Sequence, residues 1–252
     1  MTGRDPRRWR GWVALAAGLL VLAFVRLRVG IDAYVDLHRW LQGVGVPEAV
    51  RDLDDTALLI LAAIAGARWA AGRGGTWTAL GLRGSPWIGL WFGGLAGAPM
   101  FVQAIVGADQ LAFRAEMLEG MLLAPFVEEL FFRGLLVAVP ARLGSAPFWP
   151  LAIGAGLVFG AMHVRWDQPF DGGSLAVLAT TGAGGIWYAW LVRTLHWNLW
   201  ATVVLHTVMN GGWLLAGVPG GALGDAWSNV GRALTIALGT VLALRWSRTR
   251  AA

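Results

Sequence analysis

Phe126-Val127-Glu128-Glu129-Leu130-Phe131-Phe132-Arg133 sets two adjacent carboxylates and an arginine inside a run, about 117–141, that is otherwise apolar and long enough to cross a bilayer. An ionised side chain at that depth is costly unless it is paired or wetted. The cluster therefore has to be explained by what surrounds it. Apolar runs near the roughly 20 residues a membrane crossing requires recur along the chain. Eight can be drawn, at about 11–29, 55–72, 85–107, 117–141, 147–164, 173–195, 197–217 and 228–246. Of the 252 residues 57% are hydrophobic and 14% charged, where a soluble domain carries roughly a quarter charged residues. The expectation is an all-α protein, a polytopic transmembrane helical bundle of about eight spans, with 1–252 read as a single transmembrane domain. No internal repeat or low-complexity linker divides it.

The basic residues are all arginine, and they punctuate apolar spans instead of forming a stripe. Anchoring of helix ends explains them better than a nucleic-acid surface, so no nucleic-acid partner is expected. The absence of cysteine excludes thiolate metal sites, disulfides and cysteine nucleophiles. Arg4, Arg7, Arg8 and Arg10 before the apolar run 12–25 imitate a signal peptide. However, Arg26 and Arg28 follow where a small-residue cleavage site would stand, so a retained first helix is expected.

Charge counting tests the eight spans. With the N-terminus in the cytoplasm, the cytoplasmic segments hold Arg4, Arg7, Arg8, Arg10, Arg68, Arg73, Arg83, Arg142, Arg193, Arg245, Arg248 and Arg250 against one acid, Asp5. The opposite side holds the arginines at 26, 28, 39, 51, 114, 165 and 232 together with the remaining acids outside the spans. That bias is what the positive-inside rule requires. Both termini are expected on the cytoplasmic side of a bacterial cytoplasmic membrane.

Subtracting the helix ends leaves Glu128, Glu129, Arg133, His163, His206 and Asn210 in the membrane. Glu129 and Arg133 are four apart on a helix and share a face, as an ion pair needs. Glu128 lies about 100° further round and is free to face a cavity. His206 and Asn210 share a face by the same spacing, as do Phe159 and His163. Pro125 removes a backbone donor and is expected to loosen or kink the helix. A glutamate near a histidine can hold and deprotonate water, and a histidine with an asparagine can donate to an oxyanion. Two glutamates and two histidines are also acceptable zinc ligands, although no His-Glu-x-x-His pattern is present. Taken singly, each residue has a structural explanation: a histidine bonded to a neighbouring carbonyl, a structural ion pair, an asparagine joining helices. His38 and His196 fall at span borders and receive no role. The small residues Gly89, Gly93 and Gly97, and likewise Gly156 and Gly160, suit close helix packing.

The ordered motifs Glu128-Glu129-x-x-x-Arg133, Phe159-x-x-x-His163 and His206-x-x-x-Asn210, with the approach Trp197-Asn-Leu-Trp-Ala-Thr-Val-Val-Leu-His206, resemble the CPBP family of intramembrane proteases, which includes the prenyl (CAAX) protease and bacterial Abi-type proteins. The resemblance covers a motif-bearing core of about 115–217. It implies an eight-helix fold with an intramembrane active-site cavity, and an endopeptidase acting on a membrane-associated protein or peptide. Glu128 and His163 would activate water, His206 and Asn210 would stabilise the tetrahedral intermediate, and Glu129 with Arg133 would support them. No cofactor is favoured; a divalent metal such as zinc on Glu128, His163 and His206 is the alternative. The expected partners are the lipid bilayer and a membrane-anchored substrate. Two other functions compete: a non-catalytic scaffold or bacteriocin-immunity member of the same fold, and a proton-coupled transporter, which would show the repeat symmetry missing here. The topology places His163 just before the outer Arg165-Trp166-Asp167 segment. Glu128 falls about eight residues, roughly 12 Å, below the outer border of its helix. A site in the outer half of the membrane is therefore expected.

Overall fold

The computed structural model describes residues 8–27, 32–46, 54–107, 113–114, 117–144, 146–218 and 221–249. Among them there are helices and turns and no strand. The helices are α1 (Arg8–Leu27), α2 (Asp32–Gly43), α3 (Asp54–Ala71), the single turn α4 (Thr76–Ala79), α5 (Pro86–Gly107), α6 (117–143), α7 (Phe148–Met162), α8 (Gly172–Thr194), α9 (Leu199–Leu215) and α10 (Ala226–Thr249). Each of the eight apolar runs forms a helix. Four are long and apolar enough to cross a membrane: α1, α5, α8 and α10. Their outer faces carry Leu20, Trp87 and Val106, which lipid accepts and water does not.

Besides the single turn α4, one helix falls outside the eight runs, α2. In α2, Asp36 and Arg39 pair at 3.2 Å on the surface and break the apolar run that marks a span. Its 12 residues reach about 18 Å at 1.5 Å each, short of a roughly 30 Å hydrocarbon core. The alternation of spans is therefore undisturbed.

Helix α6 is the axis of the bundle, and every residue from 129 to 140 is buried. Helices α1, α3 and α7 pack around it, α7 pairs with α8, and α5 is held between α9 and α10. Two stretches of α6 are π-helical, Glu119–Leu123 and Glu129–Ala138. Each ends where an α-helical segment begins whose second residue is a proline, Pro125 in Ala124–Glu128 and Pro140 in Val139–Leu143. A proline has no N–H to give the carbonyl four residues back, and its ring crowds that carbonyl. A wider turn ahead of it relieves both problems without a break. The loosening expected at Pro125 thus takes the form of a widened bore.

The small residues mark the closest approaches. A Cβ added at Gly93 would stand 2.5 Å from the Leu205 backbone nitrogen on α9, and one at Gly160 the same distance from the Leu178 carbonyl oxygen on α8. Without glycine, neither pair of backbones could meet. The start of α9 is pinned from its own turn. His196 and Trp197 both take positive φ, 58° and 61°, a conformation that costs a non-glycine residue energy. Asn198 then caps the helix through Trp200 N at 3.2 Å and donates from Nδ2 to Ser85 O at 3.1 Å.

These connections bring the arginines at 10, 68, 73, 83, 142, 193, 245 and 248 to one end of the bundle. Trp9 packs on Trp69, Arg142 donates to Thr78 O, and Trp91 meets Trp246 there. Asp36, Asp54, Asp167, Asp171 and Asp225 lie at the other end. Residues 4, 5, 7, 28, 48, 51, 52, 109, 116 and 250 of the charge count lie outside the described residues. At the acidic end Asp171 caps α8, accepting from Ser174 N at 2.8 Å and its hydroxyl at 3.0 Å. These bonds hold its carboxyl below the ordinary range. The cap is thus in force at neutral pH and fades only as pH falls through that lowered value.

Gly93→Ala should cost about 1–3 kcal/mol through overpacking and lower the thermal midpoint in detergent. Gly94→Ala, one residue on, meets nothing within 4 Å and should leave it unchanged. Equal effects would contradict the α5–α9 contact.

Candidate active site

The two glutamates straddle a change of helix type. Glu128 ends an α-helical segment and Glu129 begins the second π run, so they leave the axis in different directions. Glu129 points inward and is fully buried. Its Oε1 lies 3.1 Å from Arg133 Nη1 and 3.1 Å from His206 Nδ1 on α9. A carboxylate can only accept, so the Nδ1 of His206 carries a proton there. Glu129 Oε2 is buried without a hydrogen-bond partner, as are both terminal nitrogens of Arg133, whose approach to Glu129 is ionic in distance but not aligned as a hydrogen bond.

Aromatic rings make up part of that deficit. The Arg133 guanidinium carbon stands 4.4 Å from the Phe159 ring centroid, 5.2 Å from Tyr188 and 6.0 Å from Phe132. A desolvated cation over such rings gains about 2 kcal/mol. Room for the guanidinium comes from Gly185, where an added Cβ would lie 3.4 Å from Arg133 Nη2 and 3.0 Å from the Gly156 Cα.

Glu128 stands apart from this pair. Its side chain keeps 27% exposure, against 0% for Glu129, and its Oε2 lies 3.7 Å from His206 Nε2. The imidazole of His206 thus bridges the two carboxylates, one nitrogen to each. At 3.7 Å the second contact is too long for a direct hydrogen bond.

His163 and Asn210 lie around this centre. His163 closes the C-terminal end of α7 and is exposed. Its Nδ1 is 2.8 Å from the Phe159 carbonyl oxygen, and its ring packs on Phe159 at 4.5 Å. A carbonyl cannot donate, so the Nδ1 of His163 carries a proton. The imidazole in contact with Glu128 is that of His206; His163 joins the cluster through Phe159, which packs on Arg133 as well. Asn210, one turn beyond His206, donates from Nδ2 to the Gly120 carbonyl oxygen at 2.9 Å in the first π stretch. One of its two amide hydrogens is used there, joining α9 to α6. Among the described residues no group of three or more His, Asp and Glu side chains stands so as to hold a metal ion. Two cavities, of about 480 Å3 and 310 Å3, are lined by other residues.

Tyr188 was not anticipated. It is buried, its ring lies 5.2 Å from that of His206, and its hydroxyl donates to the Met209 sulfur at 3.2 Å. It therefore walls both His206 and Arg133. The available signal was a tyrosine in the interior of an apolar span, away from the border where tyrosines usually anchor.

Helices of membrane length, outward apolar faces and a buried ionic cluster define an integral membrane protein of the all-helical class. Residues 110–212 match the family model described as type II CAAX prenyl endopeptidase Rce1-like. That range contains all three motifs, and over it the resemblance to the CPBP/CAAX proteases is borne out. No curated protein and no solved structure matches the chain.

Arg133→Met strands the buried Glu129 carboxylate and should cost about 3–5 kcal/mol, read as a lowered thermal midpoint in detergent. Combining it with Glu129→Gln removes the stranded charge and should recover most of the loss. No recovery would show that Arg133 acts through its aromatic packing alone.

Proposed function

We propose that the protein is an intramembrane endopeptidase that hydrolyses a peptide bond of a membrane-anchored protein or peptide, with Glu128 as the general base. The observation that carries this reading is the contrast between the two glutamates. One is sealed against an arginine and a histidine. Its neighbour keeps access and faces the other nitrogen of that same histidine. In the proposed reaction Glu128 takes a proton from water held with the free Nε2 of His163, the hydroxide adds to the scissile carbonyl, and Glu128 returns the proton to the leaving amine. His206 donates from Nε2 to the oxyanion while Nδ1 donates to Glu129, so in that step the ring is an imidazolium between two anions. The second amide hydrogen of Asn210 completes the donor set. Glu129 and Arg133 fix the imidazole, as the buried aspartate does in a serine-protease triad.

The reading is metal-free, because an arginine-tied glutamate and an asparagine are poor ligands for zinc. Glu128→Gln and His206→Ala should each lower cleavage of a candidate membrane substrate at least about 100-fold. Undiminished cleavage in both would refute the assignment. A chelator should leave the wild type active; loss restored by zinc would turn the mechanism to the metal alternative.

In this reading the arginine-rich end faces the cytoplasm and His163 the outer side, which suits a sorting-signal or secreted-peptide substrate better than a cytosolic prenylated one. The chain has no cysteine, so Asp167→Cys introduces a unique thiol at an exposed position. An impermeant maleimide should label it from outside intact cells. Labelling only in inverted vesicles would reverse the orientation.

A further inference from the structure

At the arginine-rich end a cleft of about 310 Å3 opens between the start of α7 and the ends of α8 and α10, lined by Trp149, Trp190, Arg193, Thr194, Leu244 and Ser247. Its chemistry is divided. Trp149, Trp190 and Leu244 form an apolar wall, and Arg193 with the two hydroxyl residues forms a polar lip. The guanidinium carbon of Arg193 lies 4.5 Å from the Phe148 ring centroid. Stacked in that way, a guanidinium is held by its face while its N–H edges stay available to an anion. No ion pair between Arg193 and a carboxylate occurs among the described residues. Arg245 and Arg248 flank Ser247 in sequence and raise the positive potential.

We propose that this cleft binds an anionic phospholipid, with the phosphodiester on Arg193 and Thr194 and an acyl chain along Trp149, Trp190 and Leu244. An apolar wall with a cation at its mouth is complementary to a molecule that is anionic at one end and hydrocarbon along its length. Basic pockets between transmembrane helices bind lipid headgroups on the same principle. A free phosphate would use the lip and leave the wall uncovered. The site lies at the opposite end of α7 from His163 and outside the motif residues, so it stands independently of the proposed peptidase activity.

The test is native mass spectrometry of the full chain released from micelles containing equimolar phosphatidylglycerol and phosphatidylcholine. The wild type should retain phosphatidylglycerol preferentially. Arg193→Ala should reduce that retention about fivefold, the loss of one cation at the surface. Leu244→Trp fills the cleft while keeping Arg193 and should reduce it likewise. Arg73→Ala removes an exposed arginine at the same end, outside the cleft, and should leave retention unchanged. Equal retention of the two lipids, or an equal loss in Arg73→Ala, would overturn the proposal. Displacement by inorganic phosphate at the concentration of the lipid would overturn it in favour of a free-anion site.

Discussion

A carboxylate with no exposure, held 3.1 Å from a guanidinium on its own helix and 3.1 Å from an imidazole on another, is the constraint on which this bundle depends. Two charges removed from water repay the loss only when their geometry is good and their remaining polar atoms are satisfied. Here the satisfaction is incomplete, since Glu129 Oε2 and both terminal nitrogens of Arg133 lack hydrogen-bond partners. The bundle compensates with aromatic faces and close packing. Helix α7 contributes Phe159, α8 contributes Tyr188 and the space at Gly185, and α9 contributes His206. Four helices are thus placed with reference to one ion pair, and the orientation of His206 toward Glu128 follows from that placement.

The spans were legible because lipid imposes a crude requirement of length and apolarity that composition alone reveals. The Glu129–Arg133 pairing was legible for a similar reason, since four residues bring two side chains together on any ordinary helix. Other features depended on tertiary context. Helix α2 was invisible because Asp36 and Arg39 interrupt its apolar pattern. The π turns of α6 carry no periodicity of their own, and Pro125 announces only that something must yield. Tyr188 has a neutral side chain in an apolar run, and its position beside His206 follows from how α8 lies against α9. The contact of Glu128 with His206 likewise depends on helix rotation that spacing does not encode.

The two ends of the molecule divide its tasks. At the acidic end, Asp171 starts α8 with a cap and His163 closes α7. At the other, arginines ring the helix termini and stack on rings such as Phe148 and Trp197. Among the described residues no cation from either rim pairs with Glu129, which is left to Arg133 and His206. It also leaves the bundle with two ends of opposite character.

The widened bore of α6 has a consequence for how the chain tolerates change in length. A π turn holds one residue more than an α turn closing over the same rise. Deleting a single residue between Leu130 and Ala138 would let the segment relax toward the commoner helix without breaking it. Absorbed in that way, the loss leaves the helix on either side in its own phase, and the change falls on spacing within the stretch. A deletion before Arg133 would bring it from four residues to three beyond Glu129, so the pair would have to re-form in a helix of unchanged content. Register within α6 is therefore a coordinate in its own right, one that spectroscopic helicity would not report.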